Sequence, residues 1–211
     1  MKYITSSILI ALLALTQTAC SDRQATDNTA QQTAASDKTP SKDTKEAIED
    51  NTPVLTRLKN GGNDSPSYVV KHDWTYHLVI DEMRDKELFI ATKESKNNVS
   101  LKSPYTGGNL KLYLRRDAEG ESNLDAIVTI NSGQFNCVLS CKVPVRFDNN
   151  EIQTYSMNSP SDYSSDSLFI SNFDTKRFIE NVRKSKKMII ELPFFNNGNH
   201  QFKFDIDQLE W

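Results

Sequence analysis

The feature that most constrains the fold is an alternation of apolar and polar residues that recurs after Tyr68. In the segment 110–115, three leucines alternate with a lysine, a tyrosine and an arginine. Because successive side chains of a strand point to opposite faces, this period of two is typical of a strand with one buried face. Further strand-like segments lie at 74–80, 87–92, 126–130, 134–137, 142–147, 152–155, 167–170, 188–192 and 202–206. We therefore expect residues 67–211 to form a mainly β domain, an antiparallel β-sandwich or half-open barrel.

Turn residues between these segments predict how the strands are connected. Asn197-Gly198 separates the last two segments and is the strongest hairpin signal in the chain. Asn149-Asn150 predicts a two-residue hairpin turn, because asparagine tolerates the left-handed conformation that such a turn requires. Pro144 has no backbone N–H to donate, which predicts that its strand is an edge strand or has a bulge there.

A single helix is predicted in the C-terminal half, over residues 174–187. Asp174 is a plausible N-cap for it. Phe178, Ile179 and Val182 lie on one stripe of the helix, which predicts that this face packs on the sheet.

The same segment carries six basic residues against only Asp174 and Glu180. The basic residues are Lys176, Arg177, Arg183, Lys184, Lys186 and Lys187. One interpretation is a solvated face, with the last four complementing the helix dipole at about 0.3–1 kcal/mol each. The other is a binding site for an acidic protein surface, anionic lipid headgroups or a lipopolysaccharide phosphate, since opposite fields raise encounter rates.

Residues 1–19 have the organisation of a secretory signal peptide. Lys2 is followed by an apolar run over 8–15 and a small residue, Ala19, before Cys20. The apolar run is about half of the ~20 residues that a membrane-spanning helix needs. Thr18-Ala19-Cys20 resembles the lipobox of bacterial lipoproteins. That resemblance implies that Cys20 is acylated, and Ser21 after it implies export to the outer membrane; the alternative is a soluble secreted protein with an incidental cysteine.

Residues 20–66 are predicted to be a disordered tether between this lipid anchor and the β domain. The first twenty residues after Cys20 include no aromatic and no β-branched aliphatic residue, so they cannot bury enough apolar surface to offset chain entropy. Within the tether, Thr52, Pro53 and Gly61 predict a short helix over 52–60, with a cap, a first-turn proline and a terminating glycine.

The two remaining cysteines, Cys137 and Cys141, are predicted to form a structural disulfide. In an extended strand their Cα atoms would be about 13 Å apart, beyond the ~4.4–6.8 Å that a disulfide permits. Residues 138–140 must therefore turn tightly, and the bond would pin a hairpin between the strands at Phe135 and Val143. A redox pair is normally one residue closer, and a zinc site would need two more ligands.

The sequence shows no recognisable catalytic or cofactor motif, and we expect neither a cofactor nor a metal. The chain has 25 basic and 28 acidic residues, which argues against a nucleic-acid partner. The three histidines, His72, His77 and His200, do not neighbour an obvious nucleophile. Carboxylate pairs at 81–85 and 205–207 arise by chance among so many acids. The loop 159–166 lacks the glycine and glutamate of a calcium loop and is predicted to be a polar loop.

Short motifs spread over residues 74–211 carry a faint family resemblance. They are Trp74, Asp81-Glu82-Met83, Ser103-Pro104-Tyr105, Gly133-Gln134-Phe135-Asn136-Cys137, Val145-Arg146-Phe147-Asp148 and Leu209-Glu210-Trp211. This order resembles a widespread uncharacterised periplasmic domain of Gram-negative bacteria. It is more distantly similar to periplasmic proteins associated with type VI secretion and to invasion-associated locus B proteins. The resemblance implies a periplasmic location and supplies no catalytic residue.

Together these features predict an outer-membrane-anchored lipoprotein whose domain faces the periplasm. We expect it to be a non-enzymatic binding or scaffolding module for another envelope protein. One alternative is an immunity or inhibitor lipoprotein that intercepts a toxin or lysin. Another is a hydrolase of an envelope polymer, which would need a pocket that gathers His77 or His200 with carboxylates.

Overall fold

The computed structural model describes residues 52–60 and 68–211. The helices are α1 (Val54–Asn60) and α2 (Asn172–Lys184). The strands are β1 (Tyr68–Lys71), β2 (Trp74–Asp81), β3 (Lys86–Val99), β4 (Gly108–Asp117), β5 (Asp125–Ile130), β6 (Ser140–Phe147), β7 (Gln153–Asn158), β8 (Ser167–Ile170), β9 (Lys187–Phe194) and β10 (Gly198–Asp205). The predicted signal peptide, the lipidation site at Cys20 and the tether other than 52–60 lie outside the described residues.

All ten strands belong to one antiparallel sheet, in the order β1-β2-β3-β4-β5-β8-β7-β6-β9-β10. The prediction of a mainly β, antiparallel fold with one helix in the C-terminal half is confirmed. The edge of β10 returns to the second half of β3, where the Asn97 side chain binds the β10 backbone. Its amide donates to the Gln201 carbonyl at 2.9 Å, and its Oδ1 accepts from the Lys203 N–H at 2.7 Å. The sheet therefore curls into a half-open barrel instead of splitting into the two sheets of a sandwich.

One face of the curled sheet forms the core, as the alternation predicts. The three leucines of β4 are fully buried, and β5 and β9 alternate buried and partly exposed residues in the same way. Phe147 of β6 and Phe202 of β10 are also buried. The alternation is clear because each strand has one face in the barrel interior and the other toward solvent.

Helix α2 covers the barrel end where β6 finishes and β7 begins. Phe178 lies 5.8 Å from the Phe147 ring and 5.3 Å from the Tyr155 ring, measured between ring centroids. Ile179 and Val182 are buried beside it, as the apolar stripe predicts. The predicted N-cap is wrong: the helix begins at Asn172 after Ser171, so Asp174 lies in the first turn.

A smaller part of the core forms between the β1–β2 hairpin, helix α1 and the C-terminus. Val54 of α1 is buried, so this predicted helix packs against the β domain. The Trp74 indole N–H donates to the Asp207 carbonyl at 3.2 Å, and the Tyr76 hydroxyl accepts from the Glu210 N–H at 2.9 Å. The C-terminal residues are thereby held against the sheet.

Two strand predictions differ from the structure. Residues 134–137 do not form a strand: Phe135 makes one isolated bridge to Phe194. β3 continues to Val99, beyond the predicted end at 92, through a register shift between Glu94 and Asn98. Polar residues are buried in this extension, so the apolar pattern stops before the strand does.

The turn prediction at Asn149-Asn150 and the edge-strand or bulge prediction at Pro144 are also wrong, and the turn prediction at Asn197-Gly198 is confirmed. The β6–β7 pairing ends at Val145 and Gln153, so the connection is longer than the predicted two residues. The residue with positive φ in this connection is Asp148, at 49°, and neither asparagine has a positive φ. Pro144 lies in an internal strand between β7 and β9, but the ladder to β9 starts at Val145, so its missing N–H breaks no bond there. The β9–β10 hairpin at Asn197-Gly198 is confirmed.

Candidate functional site

The predicted cysteine pair lies in the turn that leads into β6. Cys137 and Cys141 are bonded, with their Cα atoms 5.3 Å apart, a geometry compatible with the predicted disulfide. The Ser140 N–H donates to the Val138 carbonyl at 2.7 Å, and Leu139 between them has a φ of +64°. Because residues 134–137 are not a strand, the bond closes a tight turn and does not pin a hairpin.

Two of the six predicted basic residues are already committed to partners within the domain. Arg177 donates to Asp174 Oδ1 at 2.7 Å and to the Thr154 carbonyl at 3.1 Å, and its guanidinium lies 4.4 Å from the Tyr155 ring centroid. Arg183 forms an ion pair with Glu121 at 2.7 Å. These two arginines fasten α2 to the barrel.

Three basic side chains on this side of the helix stabilise the negative charge of Glu121. The hydrogen bond from Arg183, followed by the charges of Arg183, Arg116 and Lys176, holds the pKa of the Glu121 carboxyl below its usual range. Lys176 is itself exposed, and its charge is the smallest of these influences on Glu121.

The remaining three predicted cations, Lys184, Lys186 and Lys187, are exposed and form no ion pair with another described residue. Only Lys184 is in the helix, because Ser185 is extended with φ −113° and ψ 159°. The expectation that Lys186 and Lys187 lie in the last helical turn is wrong. Their backbone N–H groups donate to Asp148 Oδ1 at 2.9 and 2.8 Å, which fixes the start of β9.

The sheet register brings two further cations close to Lys187. Arg146 of β6 and Lys203 of β10 both pair with Ile189 of β9, on the strand that Lys187 begins. Both side chains are exposed and, among the described residues, neither forms an ion pair. We call the set Arg146, Lys184, Lys186, Lys187 and Lys203 the basic surface.

Two acidic groups beside the basic surface, Asp205 and Asp148, are engaged by other groups. Asp205 is the register partner of Lys187, but its carboxylate pairs with Lys96 of β3. Asp148 accepts the two backbone N–H groups described above. The positive charge of the surface is therefore only partly offset locally.

Arg146 and Lys203 are not among the basic residues that the sequence pattern predicts for binding. Both lie at the polar positions of correctly predicted strands, each between two buried residues. The signal that could have found them was the order of the strands, because only the β6–β9–β10 adjacency places them around Ile189.

The histidines and carboxylates considered for catalysis are not brought together in a cavity. His200 Nε2 lies 3.1 Å from the Asn197 carbonyl, and the His77 ring packs on Tyr68 at 5.8 Å. Asp81 pairs with Arg84 at 2.8 Å. In residues 52–60 and 68–211, no group of three or more histidine, cysteine or acidic side chains could hold a metal ion.

Neither helix of the described part is long and apolar enough to cross a membrane. Comparison with protein-family models, with curated proteins and with solved structures found no match. The resemblance to periplasmic domains therefore stays an expectation from the sequence.

Proposed function

We propose that this chain is an outer-membrane lipoprotein, anchored through Cys20, whose β domain is a non-enzymatic binding module in the periplasm. The N-terminal pattern supports the anchor: a single lysine, a short apolar run and a small residue precede the cysteine. Acyl chains contribute about 0.8 kcal/mol for each buried CH₂, so two or more hold a protein at the membrane stably.

The basic surface is the observation that carries the binding role. Its five cations are exposed and have no ion-pair partner among the described residues, in a chain with a net charge of −3. A concentrated patch of one sign attracts the opposite sign and accelerates encounter, and salt screens this attraction over ~8 Å at physiological ionic strength. We therefore propose that the module binds an acidic surface of another envelope protein.

The binding role is tested by charge-matched variants. In the first variant, Lys184, Lys186 and Lys187 are changed together to Gln. In the control, Arg84, Lys86 and Lys102, which lie in the β2–β3 turn, at the start of β3 and after β3, are changed to Gln with the same loss of charge. We expect in-cell crosslinking and pull-down to lose the partner in the first variant only, with the wild-type yield falling as salt is raised during the pull-down. Equal yields in the two variants would refute the role of the basic surface.

The anchor is tested separately with Cys20→Ala. We expect this variant to leave the outer-membrane fraction while the purified domain keeps its melting temperature. The identity of the captured protein then refines the role, since a toxin or lysin would make the module an immunity or inhibitor lipoprotein. Retention of Cys20→Ala in the outer-membrane fraction would contradict the lipid anchor.

A further inference from the structure

A cavity of about 230 Å³ opens at the barrel end opposite α2, beside the disulfide turn. Its lining belongs to segments that precede β6 and follow β7, whereas α2 packs where β6 ends and β7 begins. Phe135, Cys137 and Leu168 form the buried wall. Val138 and Leu139 of the disulfide turn and Tyr163 of the loop 159–166 form the mouth.

The mouth residues are large apolar side chains that face solvent. Val138 is 83% exposed, Leu139 is 68% exposed and Tyr163 is 77% exposed. Each leaves apolar area in water that burial would make favourable at roughly 25 cal/mol per Å². Three such side chains around one cavity are typical of an interaction site.

Two of these residues are also held in an unfavourable backbone conformation. Leu139 has a φ of +64° and Tyr163 a φ of +58°. All other described non-glycine residues with positive φ are polar: His72, Asp73, Asp85, Asn123, Asp148, Asn196 and Gln208. The left-handed region is costly for residues other than glycine, asparagine and aspartate. A sequence chosen for stability alone would carry Gly or Asn at both positions.

The two segments of the mouth are fastened to each other and to the barrel. The Ser159 N–H donates to the Leu139 carbonyl at 3.1 Å, and the Ser159 hydroxyl donates to the Cys137 carbonyl at 2.5 Å. The Cys137–Cys141 disulfide joins the two ends of the turn that carries Val138 and Leu139. The apolar side chains are thus presented by a rigid frame, which lowers the entropic cost of binding.

Volume and charge indicate what the cavity receives. A cavity of about 230 Å³ is below the ~300–1,000 Å³ typical of small-molecule sites, and it suits one large side chain. The lining has no basic residue, whereas the loop 159–166 carries Asp162 and Asp166, both exposed and without an ion pair to another described residue. We propose that the cavity binds one aromatic side chain of a partner protein, from a segment that also carries lysine or arginine.

The proposal is tested by methyl NMR on the full chain in 50 mM salt at neutral pH, with three capped tripeptides as probes. The sequence Lys-Trp-Lys should shift the methyl resonances of Val138, Leu139 and Leu168 in a saturable way. Glu-Trp-Glu should bind at least tenfold more weakly, and Lys-Ala-Lys should give no saturable shift. Equal binding of the two tryptophan peptides, or no saturable shift with any of them, would overturn the proposal.

Variants separate a binding role from a structural one. Leu139→Asn and Tyr163→Asn relieve the backbone strain and remove the apolar mouth, so we expect an unchanged or raised melting temperature and at least tenfold weaker binding of Lys-Trp-Lys. Ile152→Asn, a matched change of an exposed aliphatic residue at the other barrel end, should leave binding unchanged. A lowered melting temperature in both Asn variants with binding retained would assign these residues to folding and refute the proposal. Dimers in sedimentation that Leu139→Asn abolishes would instead identify a second copy as the occupant.

Discussion

At the scale of single residues, several charged side chains connect one helix or strand to another. The local sequence around them does not show this role. Asp174 is the clearest case. It looks like a helix cap, but its Oδ2 accepts the Ser156 N–H of β7 at 2.8 Å and its Oδ1 accepts Arg177 at 2.7 Å. A carboxylate with these donors joins α2 to the sheet.

The pH dependence of stability should show this role of Asp174. The hydrogen bond from the Ser156 N–H, together with Arg177, holds the pKa of Asp174 below its usual 3.8. The stabilisation is therefore complete above the unfolded-state pKa and is lost as pH falls through the lower folded-state pKa. We expect Asp174→Asn to lower the free energy of unfolding by about 1 kcal/mol at pH 7. In urea titrations this difference from wild type should shrink below pH 3.8; a difference that stays constant down to pH 2.5 would exclude the charge as its cause.

At the scale of elements, α2 has one face that holds the barrel closed and another that meets solvent. Phe178 is fully buried between Phe147 and Tyr155, whereas Phe173 on the same helix is 98% exposed. Phe178→Ala should lower the free energy of unfolding by about 3–5 kcal/mol, because it leaves a cavity. Phe173→Ala should change it by less than about 0.5 kcal/mol. Similar losses in the two variants, measured by urea unfolding, would contradict this division of faces.

The disulfide turn is the second element whose contribution can be measured directly. The chain-entropy model gives roughly 2 kcal/mol for a loop this short. The double variant Cys137→Ala/Cys141→Ala should therefore lose about that much stability in urea. Reducing the wild type with dithiothreitol should bring it to the level of the double variant, and the reductant should not affect the double variant. An effect of the reductant on the double variant would show that another group is responsible.

At the scale of the whole domain, the sequence predicted which segments are strands better than which strands are neighbours. The alternation is a local pattern, so seven of the ten predicted segments lie within observed strands, and two more, 152–155 and 202–206, extend one residue beyond theirs. Strand order depends on contacts between segments that are distant in the sequence, so local patterns do not predict it. For this reason the sequence wrongly predicts an edge strand or bulge at Pro144. It also does not associate Arg146 and Lys203 with the basic helix. Local patterning also fails where polar residues turn inward. Lys93 of β3 is buried and donates to the His72 carbonyl at 3.0 Å. Because a lysine occupies a buried position, the apolar–polar alternation does not show that the strand continues.

The barrel is closed between β3 and β10 by the Asn97 side chain, which takes the place of a backbone neighbour for β10, and by the Lys96–Asp205 ion pair. Asn97→Ala removes both of its hydrogen bonds, so we expect a loss of about 1–3 kcal/mol and faster amide exchange at Lys203, whose N–H donates to Asn97 Oδ1. Asn97→Asp keeps an acceptor for this N–H, so the Lys203 amide should exchange more slowly than in Asn97→Ala. Asn199→Ala, on the same strand, removes only an exposed bond to Glu191 and should leave the Lys203 amide unaffected. Because β10 otherwise pairs only with β9, unchanged protection of Lys203 in Asn97→Ala would mean that the barrel closes by another contact.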